Sequence, residues 1–142
     1  MYKKILIALE NSPADRALLP HVADLAAHFG SEILLLHVAD GFAARCFDQL
    51  ILNESEEMKE DRAYLEKVAG HLRERKLSVH TQLAMGNPPT EILRIANAEK
   101  CDLIAMTSHG HRFWGDLFHG STITEVRHST TIPMLILRAK MV

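Results

Sequence analysis

The sequence L-I-A-M-T-S-H-G-H-R-F-W-G-D-L-F-H-G-S, residues 103–121, carries the strongest indication of the fold of this chain. Leu103–Met106 is a continuous apolar run, and glycine, hydroxyl and basic residues follow it up to Ser121. Residues 121–130 then have helical spacing. This pattern predicts a buried strand that leads through a glycine-containing loop into a short helix. Free backbone N–H groups and the positive end of a helix dipole converge at such a junction, which favours the binding of phosphate.

Three further apolar runs extend the prediction to a sheet. They are Ile5–Leu9, Ile33–Leu36 continued by His37 and Val38, and Met134–Leu137. Because these runs are apolar on both faces, they predict strands of a parallel sheet that is covered by helices on both sides. Residues 79–83 alternate between apolar and polar instead, which predicts an edge strand with one partly wet face.

Segments with helical spacing lie between the predicted strands. Ser12–Asp15 has the residues of a helix start, with Pro13 at the first helical position, and Gly30 is placed to end that helix. Its apolar stripe is Leu18, Val22, Leu25, Ala26 and Phe29. Three more helices are predicted. One spans residues 54–76, with Met58, Leu65, Val68 and Leu72 facing inward. Another starts at Asn87 and carries Ile92, Ile95 and Ala96, and the last spans residues 121–130. The alternation of strand and helix predicts an α/β fold of three layers, a doubly wound parallel sheet of five strands, in a single domain over residues 1–142.

Composition and charge exclude several classes of protein. The 142 residues carry a net charge of −2, with 47% hydrophobic and 24% charged residues, so a nucleic-acid partner is not expected. No apolar run approaches the length that crosses a bilayer, and Ile5–Leu9 is too short for the core of a signal peptide. We therefore expect a cytoplasmic protein without membrane insertion. Cys46 and Cys101 are the only cysteines, which supports neither a disulfide framework nor a zinc cluster.

The connection at residues 39–53 is the least regular part of the chain. It is either a lid over a ligand or a long crossover. A long crossover is the commoner case, and the sequence leaves both alternatives open.

Five segments, in order along the chain, resemble the universal stress protein family. They are Lys4–Ser12 (first strand and turn), Leu35–Val38 (end of the second strand), Gly86–Pro88 (start of the third helix), Leu103–Gly110 with Gly120 and Ser121, and Ile132–Arg138 (last strand). The resemblance covers essentially the whole chain. It implies a Rossmann-like fold of the adenine nucleotide alpha hydrolase-like type, with the strand order 3-2-1-4-5.

Members of that family that bind ATP carry the pattern G-x2-G-x9-G-[ST]. This chain has Gly110 at the second glycine position, nine residues after it, and then Gly120 and Ser121. Thr107 stands at the first glycine position, and Glu10 replaces the aspartate that usually follows the first strand. Three of the four positions of the glycine pattern are kept, so the chain resembles the ATP-binding branch more than the branch that has lost the pattern.

The resemblance therefore implies a binding site for ATP or AMP, with or without Mg²⁺. Its residues would be Ala8, Leu9, Glu10, Val38, Met85, Gly86, Thr107, Ser108, Gly110, Gly120, Ser121 and Thr122. Ala8 and Leu9 would line the adenine side, and Val38 would bring backbone groups to the base. No residue is assigned a catalytic role or a place in a metal site.

Physical chemistry supports parts of this site and leaves alternatives open. Gly110 and Gly120 let an anion approach the backbone, although a turn glycine and a plain helix start would have the same residues. Glu10 could accept ribose hydroxyls or hold Mg²⁺, or it could be an exposed acid in a turn. The branched side chain of Thr107 narrows the binding site at a point that glycine would leave open. Its hydroxyl could nevertheless form a hydrogen bond with a phosphate or ribose oxygen.

Nothing in the glycine segment indicates a catalytic centre. There is no P-loop, and residues 107–121 contain no lysine to stabilise a transferring phosphoryl group, so ATP hydrolysis would be very slow or absent. His109, His111 and His119 are expected to be structural or phosphate-adjacent residues rather than metal ligands.

These observations predict a nucleotide-binding regulatory protein of the stress response, with a regulatory protein partner that the sequence does not identify. By the resemblance, it would be a homodimer joined through its last strand, residues 133–139, and an apolar edge strand independently favours such pairing. One alternative is an interaction protein with the same fold and dimer, whose pocket Thr107 closes. The other is a very slow ATPase.

Overall fold

The computed structural model describes residues 1–39, 56–108 and 120–139. Strands and helices alternate along these residues as the sequence predicts. The strands are β1 (Lys4–Ala8), β2 (Glu32–Ala39), β3 (Ser78–Met85), β4 (Leu103–Ser108) and β5 (Met134–Arg138). The helices are α1 (Asp15–Phe29), α2 (Glu56–Glu74), α3 (Pro88–Ala98) and α4 (Gly120–Ser129).

The strands form one parallel sheet with the order β3-β2-β1-β4-β5, which confirms the predicted topology. β1 lies at the centre, where Ile5 pairs with Ile33 of β2 on one side and with Leu103 of β4 on the other. The chain winds outward from β1 to β3 and then crosses to β4, so its direction reverses between β1 and β4. In open α/β sheets, ligands bind at the carboxyl ends of the strands beside such a reversal.

Side chains of β1, and of Leu9 directly after it, alternate between two separate apolar layers. Ile5, Ile7 and Leu9 pack with residues of α1 and α2, whereas Leu6 and Ala8 pack with residues of α3 and α4. All of these side chains are completely buried. The sheet is therefore covered on both faces, which confirms the three layers that the apolar runs predict.

Most local features of the helices agree with the sequence. α3 begins after Asn87, whose Oδ1 accepts the Thr90 N–H at 3.2 Å. α1 ends at Gly30, which has a φ of 67° and so adopts the left-handed conformation that glycine tolerates best. The four residues predicted to face inward from α2 are buried: Met58, Leu65, Val68 and Leu72.

Two predictions for α1 are wrong in detail. The helix begins at Asp15 rather than at Pro13, because residues 12–14 form a tighter turn in which Asp15 N–H donates to Ser12 O at 3.1 Å. Phe29 was predicted on the buried stripe but is 40% exposed. It lies in the last turn, where its ring meets the ring of Tyr2 edge-on instead of entering the core.

Cys101 is a buried free thiol at the amino end of β4. Burial raises its pKa to about 11, which makes it unreactive near neutral pH. Cys46 lies outside the described residues, as does nearly all of the segment 39–53. None of the helices in the described part of the chain is long and apolar enough to cross a membrane.

Candidate functional site

Two residues that depart from the family pattern meet at the reversal of the sheet. Glu10 follows the carboxyl end of β1, and Thr107 lies near the carboxyl end of β4. The Thr107 hydroxyl donates a hydrogen bond of 2.6 Å to Oε2 of Glu10. Glu10 is 7% exposed and Thr107 is completely buried, so the alternative of an exposed acid in a turn is wrong. The pair bridges the two strands where a ligand crevice is expected.

β4 is longer than its apolar run. The sequence places the strand at Leu103–Met106, but it continues through Thr107 and Ser108. It continues because these two residues pair with Leu137 and Arg138 of β5. The pairing uses backbone hydrogen bonds, so it does not require apolar side chains. The backbone of Thr107 therefore belongs to the sheet and is not part of the loop that could cradle a phosphate.

The turn after β1 is held by the buried carboxylate of Asp15. Asp15 accepts the backbone N–H of Glu10 at 3.1 Å and that of Asn11 at 2.9 Å. It also accepts the Tyr64 hydroxyl of α2 at 2.7 Å. Burial raises the pKa of Asp15, and these hydrogen bonds oppose that shift. Asn11 has a φ of 60°, so Asp15 stabilises a left-handed backbone conformation directly beside Glu10.

A second buried network joins β1, β2 and α2 next to this turn. His37 Nδ1 lies 2.8 Å from the Leu9 carbonyl oxygen, and His37 Nε2 lies 3.2 Å from Oδ2 of Asp61. Asn11 donates from Nδ2 to Oδ1 of Asp61 at 3.0 Å. Because a carbonyl oxygen can only accept, Nδ1 carries a proton. Asp61 thus links the turn that bears Glu10 to the core histidine of β2.

Sequence reasoning missed this network, although two signals were present. His37 is a polar residue inside the apolar run Ile33–Val38. Asp61 falls on the inward stripe of α2, three residues after Met58 and four before Leu65. A polar group at a core position requires a hydrogen-bond partner. Two such positions on consecutive elements therefore indicate a buried pair.

The remaining predicted site residues of β1, β2 and β3 lie at the carboxyl edge of the sheet. Ala8, Leu9 and Val38 are completely buried. Met85 ends β3 and is 38% exposed. Gly86 follows it, and its N–H donates to the last carbonyl of β2 at 3.0 Å. Gly86 has a φ of 134°, which L side chains rarely adopt, so the turn into α3 requires glycine.

The glycine segment is only partly described. α4 begins at Gly120, one residue before the predicted start, and Thr122 is buried in its first turn. Gly110 and the three loop histidines lie outside the described residues. The phosphate-binding roles of Gly110, Gly120 and Ser121 therefore stay predictions.

A doubly wound parallel sheet whose strand order reverses between β1 and β4 is typical of Rossmann-like α/β proteins, which bind ligands beside that reversal. A family model described as the Universal stress protein family matches residues 1–138. The chain belongs to this family, which confirms the resemblance of its motifs.

Relatives in three organisms agree with this assignment. A universal stress protein of Thermus aquaticus is 33% identical over 143 residues, which cover 97% of this chain and 100% of the relative. The solved structure of protein MJ0577 of Methanocaldococcus jannaschii has a TM-score of 0.82 and 27% identity, and the match covers 100% of this chain and 99% of that one. A universal stress protein of Archaeoglobus fulgidus, solved in complex with dAMP, has a TM-score of 0.71 and 20% identity over 95% of this chain and 97% of that one. A further solved structure, of a universal stress protein in complex with cAMP, has a TM-score of 0.69 and 12% identity, with 98% of each chain covered.

Proposed function

We propose that this protein binds an adenine nucleotide, ATP or AMP, at the carboxyl ends of β1 and β4, and that it acts as a cytoplasmic regulatory protein of the stress response. The observation that carries the proposal is the buried Glu10 side chain at the reversal of the sheet, where open α/β sheets bind their ligands. Nucleotide occupancy would be the signal. Such a signal requires two conformations of the protein that differ in their affinity for the nucleotide, because a ligand shifts a population only through such a difference. A protein partner must then distinguish the occupied from the empty state.

Different residues of the proposed site would bind different parts of the nucleotide. Glu10 supplies a carboxylate for the ribose hydroxyls or for Mg²⁺, and Asp15 holds the turn that presents it. The first turn of α4, residues 120–122, offers backbone N–H groups and a positive dipole end to the phosphates. The dAMP and cAMP complexes of family members support an adenine nucleotide as the class of ligand.

Titration of the purified protein with AMP, ADP and ATP, each with and without Mg²⁺, tests the proposal. We expect saturable heat with at least one nucleotide in isothermal calorimetry. At about 100 times its dissociation constant, that nucleotide should add about 2.7 kcal/mol to the stability and raise Tm by several degrees. No heat and no change of Tm with all three nucleotides would contradict nucleotide binding.

The variant Glu10→Ala tests whether the nucleotide binds at this site. We expect its dissociation constant to rise at least about ten-fold, which corresponds to about 1.4 kcal/mol, because the ligand loses a charged acceptor. Asp102→Ala is the matched control. Asp102 accepts hydrogen bonds from the N–H groups of Lys3 and Lys4 at the amino end of β1. Its substitution therefore perturbs the same strand, but at the end far from the proposed site. Equal losses of affinity in both variants would mean that Glu10 is not a ligand-binding residue.

The Thr107 side chain favours a second candidate function. It is completely buried at the position where ATP-binding members of the family have glycine, and its hydroxyl is already bonded to Glu10. A filled pocket would leave a protein that acts through protein contacts alone. In that case the wild-type protein binds no nucleotide, and Thr107→Gly creates binding.

We also propose a homodimer through residues 133–139. β5 is an edge strand, and Ile136 is 41% exposed on it. We expect Ile136→Lys to raise the dimer dissociation constant at least about 100-fold, because a two-fold interface places the new charge twice in one contact. Size-exclusion chromatography with light scattering at micromolar concentration measures the mass. His80→Lys, on the opposite edge strand β3, is the control and should stay dimeric, whereas dissociation of the His80 variant alone would assign the interface to β3.

A further inference from the structure

A groove with a volume of about 410 Å³ lies between the start of α1 and the middle of α2. Its apolar lining is Pro13, Leu19, Tyr64 and Val68, and its basic lining is Arg16, Lys67 and His71. Asn11 and Ser12 complete the lining. This volume is within the range of about 300–1,000 Å³ that is typical of pockets for small organic molecules. None of these residues belongs to the proposed nucleotide site.

The lining on α2 follows from helical spacing. Lys67, Val68 and His71 follow Tyr64 by three, four and seven positions. At this spacing, all four residues lie on one face of the helix. Val68 is buried and Tyr64 is partly buried, whereas Lys67 and His71 are exposed. The groove therefore has an apolar floor and a basic rim.

The positive charge of this rim is not balanced within the groove. No Asp or Glu lines it among the described residues. Within residues 1–39, 56–108 and 120–139, neither Arg16 nor Lys67 forms an ion pair. Asp15 precedes Arg16, but its carboxylate accepts hydrogen bonds from Tyr64 and from two backbone N–H groups of the turn. An anion in the groove would meet two cationic side chains and no competing carboxylate.

We propose that this groove is a binding site for a small organic anion, whose carboxylate, sulfonate or phosphate group contacts Arg16 and Lys67 and whose apolar body lies on Tyr64 and Val68. An inorganic anion would leave the apolar floor uncovered, and a neutral molecule would leave the cations without a partner. The groove borders the turn that bears Glu10 directly, since Asn11 and Ser12 of that turn line it, and the Tyr64 hydroxyl donates to Asp15 beside it. The proposal does not depend on nucleotide binding.

Titration of ¹⁵N-labelled protein with 1-naphthalenesulfonate tests the proposal. We expect saturable amide shifts centred on residues 12–19 and 64–71. Inorganic sulfate, which lacks the apolar body, and 2-naphthalenemethanol, which lacks the charge, should each bind at least about ten-fold more weakly. Shifts centred elsewhere, or equal binding of the neutral alcohol, would overturn the proposal.

Charge-matched double variants complete the experiment. Arg16→Gln with Lys67→Gln should weaken binding of 1-naphthalenesulfonate at least about ten-fold. Lys3→Gln with Arg127→Gln removes the same net charge from exposed positions on β1's amino end and on α4, and should change affinity by less than about two-fold. Urea unfolding of both double variants checks that the fold is kept. Equal affinities in the two would overturn the assignment to the groove.

Discussion

The variant Asp61→Ala is expected to be less stable than the wild-type protein by about 3–5 kcal/mol of unfolding free energy. Asp61 is 5% exposed and His37 is 2% exposed, and the His37 Nε2 and Asp61 Oδ2 atoms lie 3.2 Å apart. Without the carboxylate, His37 must either remain a buried cation without its partner or lose a proton. Asn11 loses its acceptor at the same time. Urea unfolding followed by circular dichroism measures the difference.

Two further variants show whether the charge pair causes this loss. Asp61→Asn keeps the size of the side chain, accepts from Asn11 and can donate to a neutral His37, so we expect a smaller loss of about 1–2 kcal/mol. Asp24→Ala removes an acid of α1 that pairs with Arg75 at the surface, and such pairs contribute about 0–1 kcal/mol. If Asp61→Ala lost no more stability than Asp24→Ala, the buried pair would have no special importance.

The pH dependence of stability tests the protonation of the same pair. Burial lowers the pKa of His37, but the hydrogen bonds to Asp61 and to the Leu9 carbonyl, together with nearby negative charge, outweigh it, so the pKa is raised. A raised pKa of a base contributes stability that is fully present below the unfolded-state pKa of about 6.5 and is lost as the pH rises through the folded-state pKa. The advantage of the wild-type protein over His37→Gln should therefore be largest below about pH 6.5 and shrink as the pH rises above it.

Two other buried titratable groups, Asp61 and Cys101, keep their charge state as the pH rises above neutrality. Burial alone would raise the pKa of Asp61, but hydrogen bonds from His37 and Asn11 and the charge of His37 outweigh burial. The net effect is a lowered pKa, so Asp61 stays ionised throughout. Cys101, whose pKa burial raises to about 11, stays a thiol. His21→Gln replaces an exposed histidine of α1 and is the control. A constant difference between the wild-type protein and His37→Gln across this range would contradict a charged His37.

The fold could be predicted because its signals are local. An apolar run such as Ile33–Val38 and an inward stripe such as that of α2 are each contained in one segment, so the sequence alone identifies strand and helix. The order of the strands is different, because it depends on contacts between distant segments. It came from the family resemblance, through motifs such as Gly86–Pro88 and Gly120–Ser121, and not from periodicity.

The contacts of the candidate site could not be predicted in the same way. Glu10 and Thr107 were both identified, but as two separate departures from the family pattern, and they are 97 residues apart in the sequence. Their hydrogen bond requires that β1 and β4 are neighbours and that β4 continues past its apolar run through Thr107. Asp15 was interpreted as a helix-start residue, and nothing local indicated that Tyr64 of α2 would donate to it.

The variant Thr107→Val is expected to lose about 1.5–3 kcal/mol of unfolding free energy, the range for a hydrogen bond to a charged group. Valine has nearly the shape of threonine, so the change removes the hydroxyl and leaves the packing in place. The carboxylate of Glu10, 7% exposed, then loses a donor at 2.6 Å. Thr107→Ser keeps the donor and should lose less. Equal stability of the valine variant and the wild-type protein would mean that this hydrogen bond contributes nothing.

A double-mutant cycle with Glu10→Asp and Thr107→Gly tests whether the two departures form a single adaptation. Aspartate is shorter by one carbon–carbon bond, about 1.5 Å, so it cannot reach the Thr107 hydroxyl from the same backbone position. The glycine substitution removes the donor that holds Glu10. Each single variant therefore breaks the pair, and the double variant has no pair left to break. We expect it to lose less stability than the sum of the single losses, by about 0.5–3 kcal/mol, because the two residues are in contact.

The nucleotide affinities of the same four proteins separate the two candidate functions. If the pair presents Glu10 to a nucleotide, each single variant should bind at least about ten-fold more weakly than the wild-type protein, and the double variant, which restores the family pattern at both positions, should recover affinity. If Thr107 instead closes the pocket, the wild-type protein shows no binding, whereas both variants that carry the Thr107→Gly change do bind. Additive changes in stability and in affinity would mean that Glu10 and Thr107 act independently, whatever the distance between them.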